Sequence, residues 1–234
     1  MDNELLSQEA QEVAEKGRRL AWANRRSVIF AICVVIFLLL LEDVWGGEIL
    51  RLDRLAYHYI VEDLRSDLLT PIMQTITSLA MPVVLVVVWI VASAFAPGRQ
   101  PGRCMLFNLA GASLLNVLLK QLVQRPRPEG FRLVAESGYS FPSGHSMVAM
   151  AFYGLLAYLV WHYEKDRVMR WVWSASLALV VLAVGVSRIY LGVHYASDVL
   201  AGFCVSMAWL AVYTKVVCPL FLPEPAELSL RSHV

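Results

Sequence analysis

The chain has 234 residues, 58% of them hydrophobic and 17% charged, with a mean hydropathy of +0.58; that balance excludes an ordinary soluble domain and makes the bilayer its solvent. A net charge of +1 and a pI near 7.7, with basic residues scattered and not stacked on one face, exclude a nucleic-acid partner. The four cysteines, Cys33, Cys104, Cys204 and Cys218, lie in or beside apolar runs without a C-x-x-C pair or clustered histidines, and read as small buried hydrophobes.

Crossing a hydrocarbon core of about 30 Å takes about 20 mostly apolar residues. Residues 1–26 are polar, with a weak stripe of Leu6, Ala10, Val13, Leu20 and Ala21 that predicts a cytoplasmic amphipathic segment. The first apolar run, 27–45, is followed by no small-residue cleavage site and reads as a retained anchor. Beyond it, Ile49, Leu52, Leu55, Ala56, Tyr59 and Ile60 recur at helical spacing among Arg51, Asp53, Arg54 and Glu62. This pattern predicts a helix in the membrane interface, or in a sharper reading a lip that guides a lipid headgroup. Further spans are predicted at 70–95, 104–123, 143–163, 171–187 and 198–218, and the tail 219–234, with Pro223 and Pro225, reads as a short cytoplasmic end. The expected architecture is all-α: one six-helix membrane domain over 27–218, with an interfacial helix between its first two spans. Six spans bring both termini to one side, and twelve of the twenty lysines and arginines fall there, among them Lys16, Arg25, Arg26, Arg103, Lys165 and Lys215. The positive-inside rule then predicts cytoplasmic termini.

Three polar blocks interrupt this apolar chain, all on the outward side in that topology. In K-Q-L-V-Q-R-P-R-P, Lys120 ends a span below Ser113 and Asn116 at helical spacing, so the stripe must face protein or water; taken alone, the lysine also reads as a snorkelling anchor. Arg127 lies between Pro126 and Pro128, which deny it helix and stiffen it for a planar grip on phosphate oxygens. Arg125 lacks such an argument and reads as a surface charge or headgroup contact. In P-S-G-H, Pro142 and Ser143 begin a helix whose first turn holds Gly144 and His145. Its free N–H groups suit an anion, with Ser143 and Gly144 as donors and His145 as a proton donor; an ordinary N-cap is the bland alternative. In S-R-I-Y-L-G-V-H-Y-A-S-D, His194 and Asp198 lie four apart and would share a helix face, the carboxylate orienting the ring and leaving Nε2 as a nucleophile. Arg188 would add a charge for the phosphoryl group. His58, His162 and His233 have no comparable partners and read as boundary or tail residues.

The patterns K-x6-R-P (Lys120, Arg127, Pro128), P-S-G-H (142–145) and S-R-x5-H-x3-D (Ser187, Arg188, His194, Asp198) resemble the three signature motifs of the type 2 phosphatidic acid phosphatase family, which shares its site with the vanadium haloperoxidases. The loop G-Y-S-F-P-S-G-H-S is similar to the bacterial branch with phosphatidylglycerophosphate and undecaprenyl-pyrophosphate phosphatases. The resemblance implies hydrolysis of a membrane lipid phosphate or pyrophosphate, without a cofactor or metal, through a phospho-histidine on His194. Asp198 would orient it and His145 would protonate the leaving oxygen. Lys120, Arg127, Ser143, Gly144 and Arg188 would hold the phosphoryl oxygens. Transfer to another acceptor from the same intermediate, a vanadate-dependent peroxidase and a non-enzymatic lipid carrier stand as alternatives.

Overall fold

The computed structural model describes residues 24–222 except 48, 97 and 131. The amphipathic stripe expected at the N-terminus and the proline-bearing tail therefore lie outside the described residues. Helix α1 (Arg25–Trp45) is followed by a short α2 (Arg51–Ala56) that continues as π-helical turns through Tyr57–Asp63. Next come α3 (Leu69–Ser78), α4 (Pro82–Phe95), α5 (Gln100–Val123), α6 (Gly144–Tyr163), α7 (Arg167–Tyr190) and α8 (Ala196–Val216), closed by a 3₁₀ turn at Cys218–Leu220.

Among the described residues five helices, those of α1, α5, α6, α7 and α8, are long and apolar enough to cross a membrane, the last of these reaching Leu220 through the 3₁₀ turn. The remaining expected span, 70–95, is broken: α3 and α4 meet at a bend of 58°, and the pair makes a sixth span if counted as one. Proline explains the break, because Pro82 sits at the first position of α4, where its missing N–H is harmless, and could not continue α3. Tyr153 of α6 holds the bend by donating to the Leu79 carbonyl at 2.7 Å.

Helix α8 is the hub: α1 and α6 pack along it, α5 and α7 lie on the other sides of α6, and α3 leans on α7. Polar side chains fasten the apolar helices to one another, as expected where lipid offers no alternative partner. Asn108 of α5 donates to the Ala151 carbonyl at 2.7 Å and accepts from Trp209 Nε1 at 2.9 Å, while Ser206 of α8 donates to the Met147 carbonyl at 2.8 Å. Outward-facing Val83, Leu114, Leu118, Leu122 and Leu179 are exposed, the pattern of a surface made for lipid tails. All four cysteines are free and buried, in accord with the apolar reading.

Helix α2 divides the predicted stripe between two environments. Ala56 and Ile60 pack with Val61 on Ile189, Ala196 and Val199, whereas Ile49, Leu52, Leu55 and Tyr59 remain exposed. Asp53 lies on the docked side and is buried. His58, expected to lack a partner, bonds Glu62 at 2.8 Å on the exposed side, one helical turn away.

Candidate active site

The three polar blocks meet at one end of the bundle because α5 ends, α6 begins, α7 ends and α8 begins there. Helix α5 stops at Gln124, whose left-handed backbone (φ 53°) turns the chain into the R-P-R-P segment. Two backbone bonds sew the following loop to the bundle: Ser140 N–H to the Arg125 carbonyl at 2.8 Å and Leu133 N–H to the Leu191 carbonyl at 3.1 Å. A third, from Ser143 N–H to the Asp198 carbonyl at 3.0 Å, joins the starts of α6 and α8.

His194 sits in the turn before α8 and not on the helix itself, one residue ahead of the N-cap Tyr195, with Asp198 at the third helical position. The pairing expected from the four-residue spacing still forms, with Nδ1 3.3 Å from Asp198 Oδ2. That oxygen also accepts from Tyr195 N–H at 2.9 Å, so the carboxylate caps its own helix and aims the ring together. Arg127 Nη1 lies 3.2 Å from His194 Nε2. A guanidinium only donates, so Nε2 is the acceptor and the ring proton resides on Nδ1, facing Asp198. Ser140 completes the set, its hydroxyl donating to Asp198 Oδ2 at 2.5 Å. Burial pushes the His194 pKa down to about 4, outweighing the upward pull of Asp198, and the charges of Arg188 and Arg127 add to the depression.

Arg127 is stiff for a reason beyond its flanking prolines. Its Nε, Nη1 and Nη2 donate to the carbonyls of Gly138, Val193 and Ser137, each at 3.0 Å. Arg188 is almost fully buried, donates through Nη1 to Thr77 Oγ1 at 2.9 Å, and leaves Nε without a partner. Between the two arginines stands Glu136, paired with Arg188 Nη2 and 3.6 Å from Arg127 Nη2. Burial alone would raise its carboxyl, but Arg188 and then Arg127 hold it below the usual range. Two guanidinium groups converging on one oxyanion are arranged as they would be around a phosphoryl group.

Lys120 reaches the same region and donates to the Tyr139 carbonyl at 2.5 Å, leaving two of its three protons uncommitted. At the start of α6, Ser143 behaves differently from expectation. Its backbone N–H is spent on Asp198, and its Oγ accepts from Ser146 Oγ at 3.0 Å, so only its hydroxyl proton remains for a ligand. The Gly144 and His145 N–H groups have no partner among the described residues and face the end of the helix dipole. A Cβ on Gly144 would lie 3.0 Å from Asn116 Oδ1, the side chain that braces this turn through the Pro142 carbonyl at 3.2 Å. His145 Nε2 is buried without a partner among the described residues, within electrostatic reach of Arg188, Glu136, His194 and Lys120.

Every residue proposed from the sequence thus reaches one site. The correction concerns Arg125, which is neither a surface charge nor a headgroup contact: it is 7% exposed and bonded to Asp198 Oδ1 at 2.7 Å and Asp53 Oδ2 at 3.2 Å. Sequence reasoning missed Glu136, Ser140, Thr77 and Asp53. Asp53 alone carried a signal, a carboxylate at helical spacing from Ile49, Ala56 and Ile60, where an apolar residue belongs. A cavity of about 550 Å³ opens beside the site, lined by Val44, Asp53, Tyr57, Arg127, His194 and Tyr195.

The family model described as the PAP2 superfamily matches residues 101–220. Phosphatidylglycerophosphatase B of Bacillus subtilis (strain 168) is 43% identical over 110 residues, covering 45% of this chain and 53% of that protein. A lipid A 1-phosphatase of Rhizobium johnstonii is 32% identical over 126 residues, covering 50% of this chain and 47% of that protein. The chain thus spans about half the length of these curated relatives. The crystal structure of a transmembrane PAP2-type phosphatidylglycerolphosphate phosphatase from Bacillus subtilis is similar with a TM-score of 0.69 and 30% identity, over 78% of this chain and 94% of that one.

Proposed function

The chain belongs to the PAP2 superfamily, and from that premise we propose that it is a metal-independent membrane lipid phosphatase acting through a phospho-histidine on His194. The observation that carries the reading is the setting of that ring: Nδ1 turned to Asp198 at 3.3 Å and Nε2 turned to Arg127 at 3.2 Å. A phosphoryl group drawn to Arg127 and Arg188 displaces Glu136 from between them and comes to rest against the same lone pair.

Nε2 attacks phosphorus, a nitrogen–phosphorus bond forms, and the bond to the leaving oxygen breaks as His145 supplies its proton. The imidazolium formed keeps its Nδ1 proton on Asp198. His145 then takes a proton from water as that water attacks the phospho-histidine, releasing phosphate and restoring the neutral ring. The negative charge of the five-coordinate state falls on Lys120, Arg127, Arg188, the Ser143 hydroxyl and the Gly144 N–H, fixed before the substrate arrives. These cations supply the charge that a divalent metal provides elsewhere.

The substrate class is a lipid phosphomonoester or pyrophosphate: phosphatidylglycerophosphate, phosphatidic acid, diacylglycerol pyrophosphate or undecaprenyl pyrophosphate. A site at the end of a lipid-facing bundle, beside a partly apolar cavity, suits a headgroup whose tail stays in the bilayer. The lysine and arginine distribution supports an outward-facing site with cytoplasmic termini. Acid-labile phosphate trapped by alkaline quenching and mapped to His194 tests the mechanism, and in His145→Ala both its formation and its hydrolysis should slow, because the same ring serves as acid and then as base. Turnover with no covalent phosphate on the protein would refute it.

A further inference from the structure

We propose that Asp53, on the short helix α2 outside the three motifs, is a positioning residue that acts on His194 through Arg125 and Asp198. The inference rests on the phosphatase reading above, in which His194 is the nucleophile. The four side chains form a continuous buried chain: Asp53 is 3% exposed, Arg125 7%, and Ser197 and Asp198 0%. Asp53 Oδ1 accepts from Ser197 N–H at 2.8 Å, and Oδ2 accepts from the Ser197 hydroxyl at 2.9 Å and Arg125 Nη2 at 3.2 Å. Arg125 Nη1 donates to Ser197 Oγ at 2.8 Å and to Asp198 Oδ1 at 2.7 Å, leaving Asp198 Oδ2 for His194. The Tyr195 ring, 4.0 Å from the guanidinium carbon, covers one face of Arg125.

Two functions follow from this geometry. Helix α8 begins at Ala196, after the N-cap Tyr195, and Asp53 satisfies one of the helix's free N–H groups, that of Ser197, from another helix. Asp53 also sets the angle of the guanidinium. An arginine facing one carboxylate grips both oxygens with its fork. By holding Nη2, Asp53 restricts Arg125 to the Oδ1 side of Asp198, so that Oδ2 stays on the His194 ring. Removing the Asp53 charge frees the fork to take both Asp198 oxygens and turns the orienting carboxylate from the nucleophile. Helix α2 is thereby built into the catalytic geometry, and its opposite side, with Leu52, Leu55 and Tyr59, is exposed.

The test is Asp53→Asn, close in volume and without the charge, in the full chain with phosphatidic acid in mixed micelles. The rate of phospho-histidine formation and kcat should fall about tenfold to a hundredfold, the range for an outer partner that orients a first-contact group, with KM little changed, and a lowered melting temperature reports the lost buried ion pair separately. In an Arg125→Gln background the same substitution should add almost nothing, because Asp53 acts through Arg125. Should Asp53→Asn not fold, Ser197→Ala, which removes one anchor from each partner, should lower kcat several-fold. An unchanged kcat, or equal losses with and without Arg125, would overturn the inference. His194→Ala runs beside these variants: full activity there would refute His194 as the nucleophile and with it the premise of the inference, whereas its loss beside an unaffected Asp53→Asn would refute only the role of Asp53.

Discussion

At His194, Arg127 fixes the tautomer while burial sets the charge. Because the folded-state pKa lies near 4, below the ordinary value of 6.5, the nucleophile stays neutral through the mildly acidic range. The acid limb of kcat/KM should therefore fall near pH 4 and not near 6.5, and the alkaline limb should reflect loss of the donor proton. The same shift has a stability sign. Between the two values the unfolded chain binds the proton and the folded chain does not, so the contribution of this ring is complete above pH 6.5 and is lost as pH falls toward 4. A melting temperature followed over that interval checks it, with His194→Gln expected to flatten the response. Glu136 yields a second prediction at this scale. On the proposed mechanism its carboxylate competes with phosphate for Arg127 and Arg188, so Glu136→Gln should let inorganic phosphate inhibit at concentrations about tenfold lower, as a like-charge repulsion of about 1.4 kcal/mol in one site requires. Equal inhibition constants would contradict that competition.

Among the elements, the contact between α6 and α8 carries the turn proposed to hold the phosphoryl group. A Cβ on Gly202 of α8 would lie 2.9 Å from the Ser143 carbonyl oxygen and 3.1 Å from Ser146 Cβ, close to the Ser143–Asp198 backbone bond. Neither obstacle is a flexible tip, so Gly202→Ala should push the turn off α8, lower kcat/KM at least about tenfold and destabilise by roughly 1–3 kcal/mol. Gly154→Ala, which meets the movable ends of Leu210 at 2.7 Å and Met150 at 3.6 Å, should keep its activity and serves as the control. The helices themselves were legible because unbroken apolar runs have no other use at such length. The break at Pro82 was not, since the apolar pattern continues across it. The motif residues were legible because charges inside apolar sequence must converge on something. Asp53, Arg125 and Glu136 were not, because each looks like an ordinary boundary charge until long-range packing pairs it: Asp53 and Arg125 are 72 residues apart, and Arg188 and Glu136 are 52. The position of His194 shows the limit of spacing arguments, since its four-residue separation from Asp198 serves a turn and a cap where a continuous helix was expected.

For the whole molecule, the bundle holds the site at one end and leaves its flanks to lipid, so orientation in the membrane decides which pool of substrate it meets. The proposed topology, with cytoplasmic termini, predicts that a cysteine placed at exposed Glu129 reacts with a membrane-impermeant thiol reagent on intact cells, while the four native cysteines, all buried, stay silent. Labelling only after permeabilisation would reverse the topology. The central claim is hydrolysis of a lipid phosphate by His194 with arginine and lysine in place of a metal. Its most direct test is phosphate release by the detergent-purified full chain in EDTA, across phosphatidylglycerophosphate, phosphatidic acid, diacylglycerol pyrophosphate, undecaprenyl pyrophosphate and a soluble sugar phosphate, beside a folded His194→Ala. Release from at least one lipid should be undiminished by EDTA and abolished in His194→Ala; release that needs a divalent metal, or that survives in His194→Ala, would rule the mechanism out.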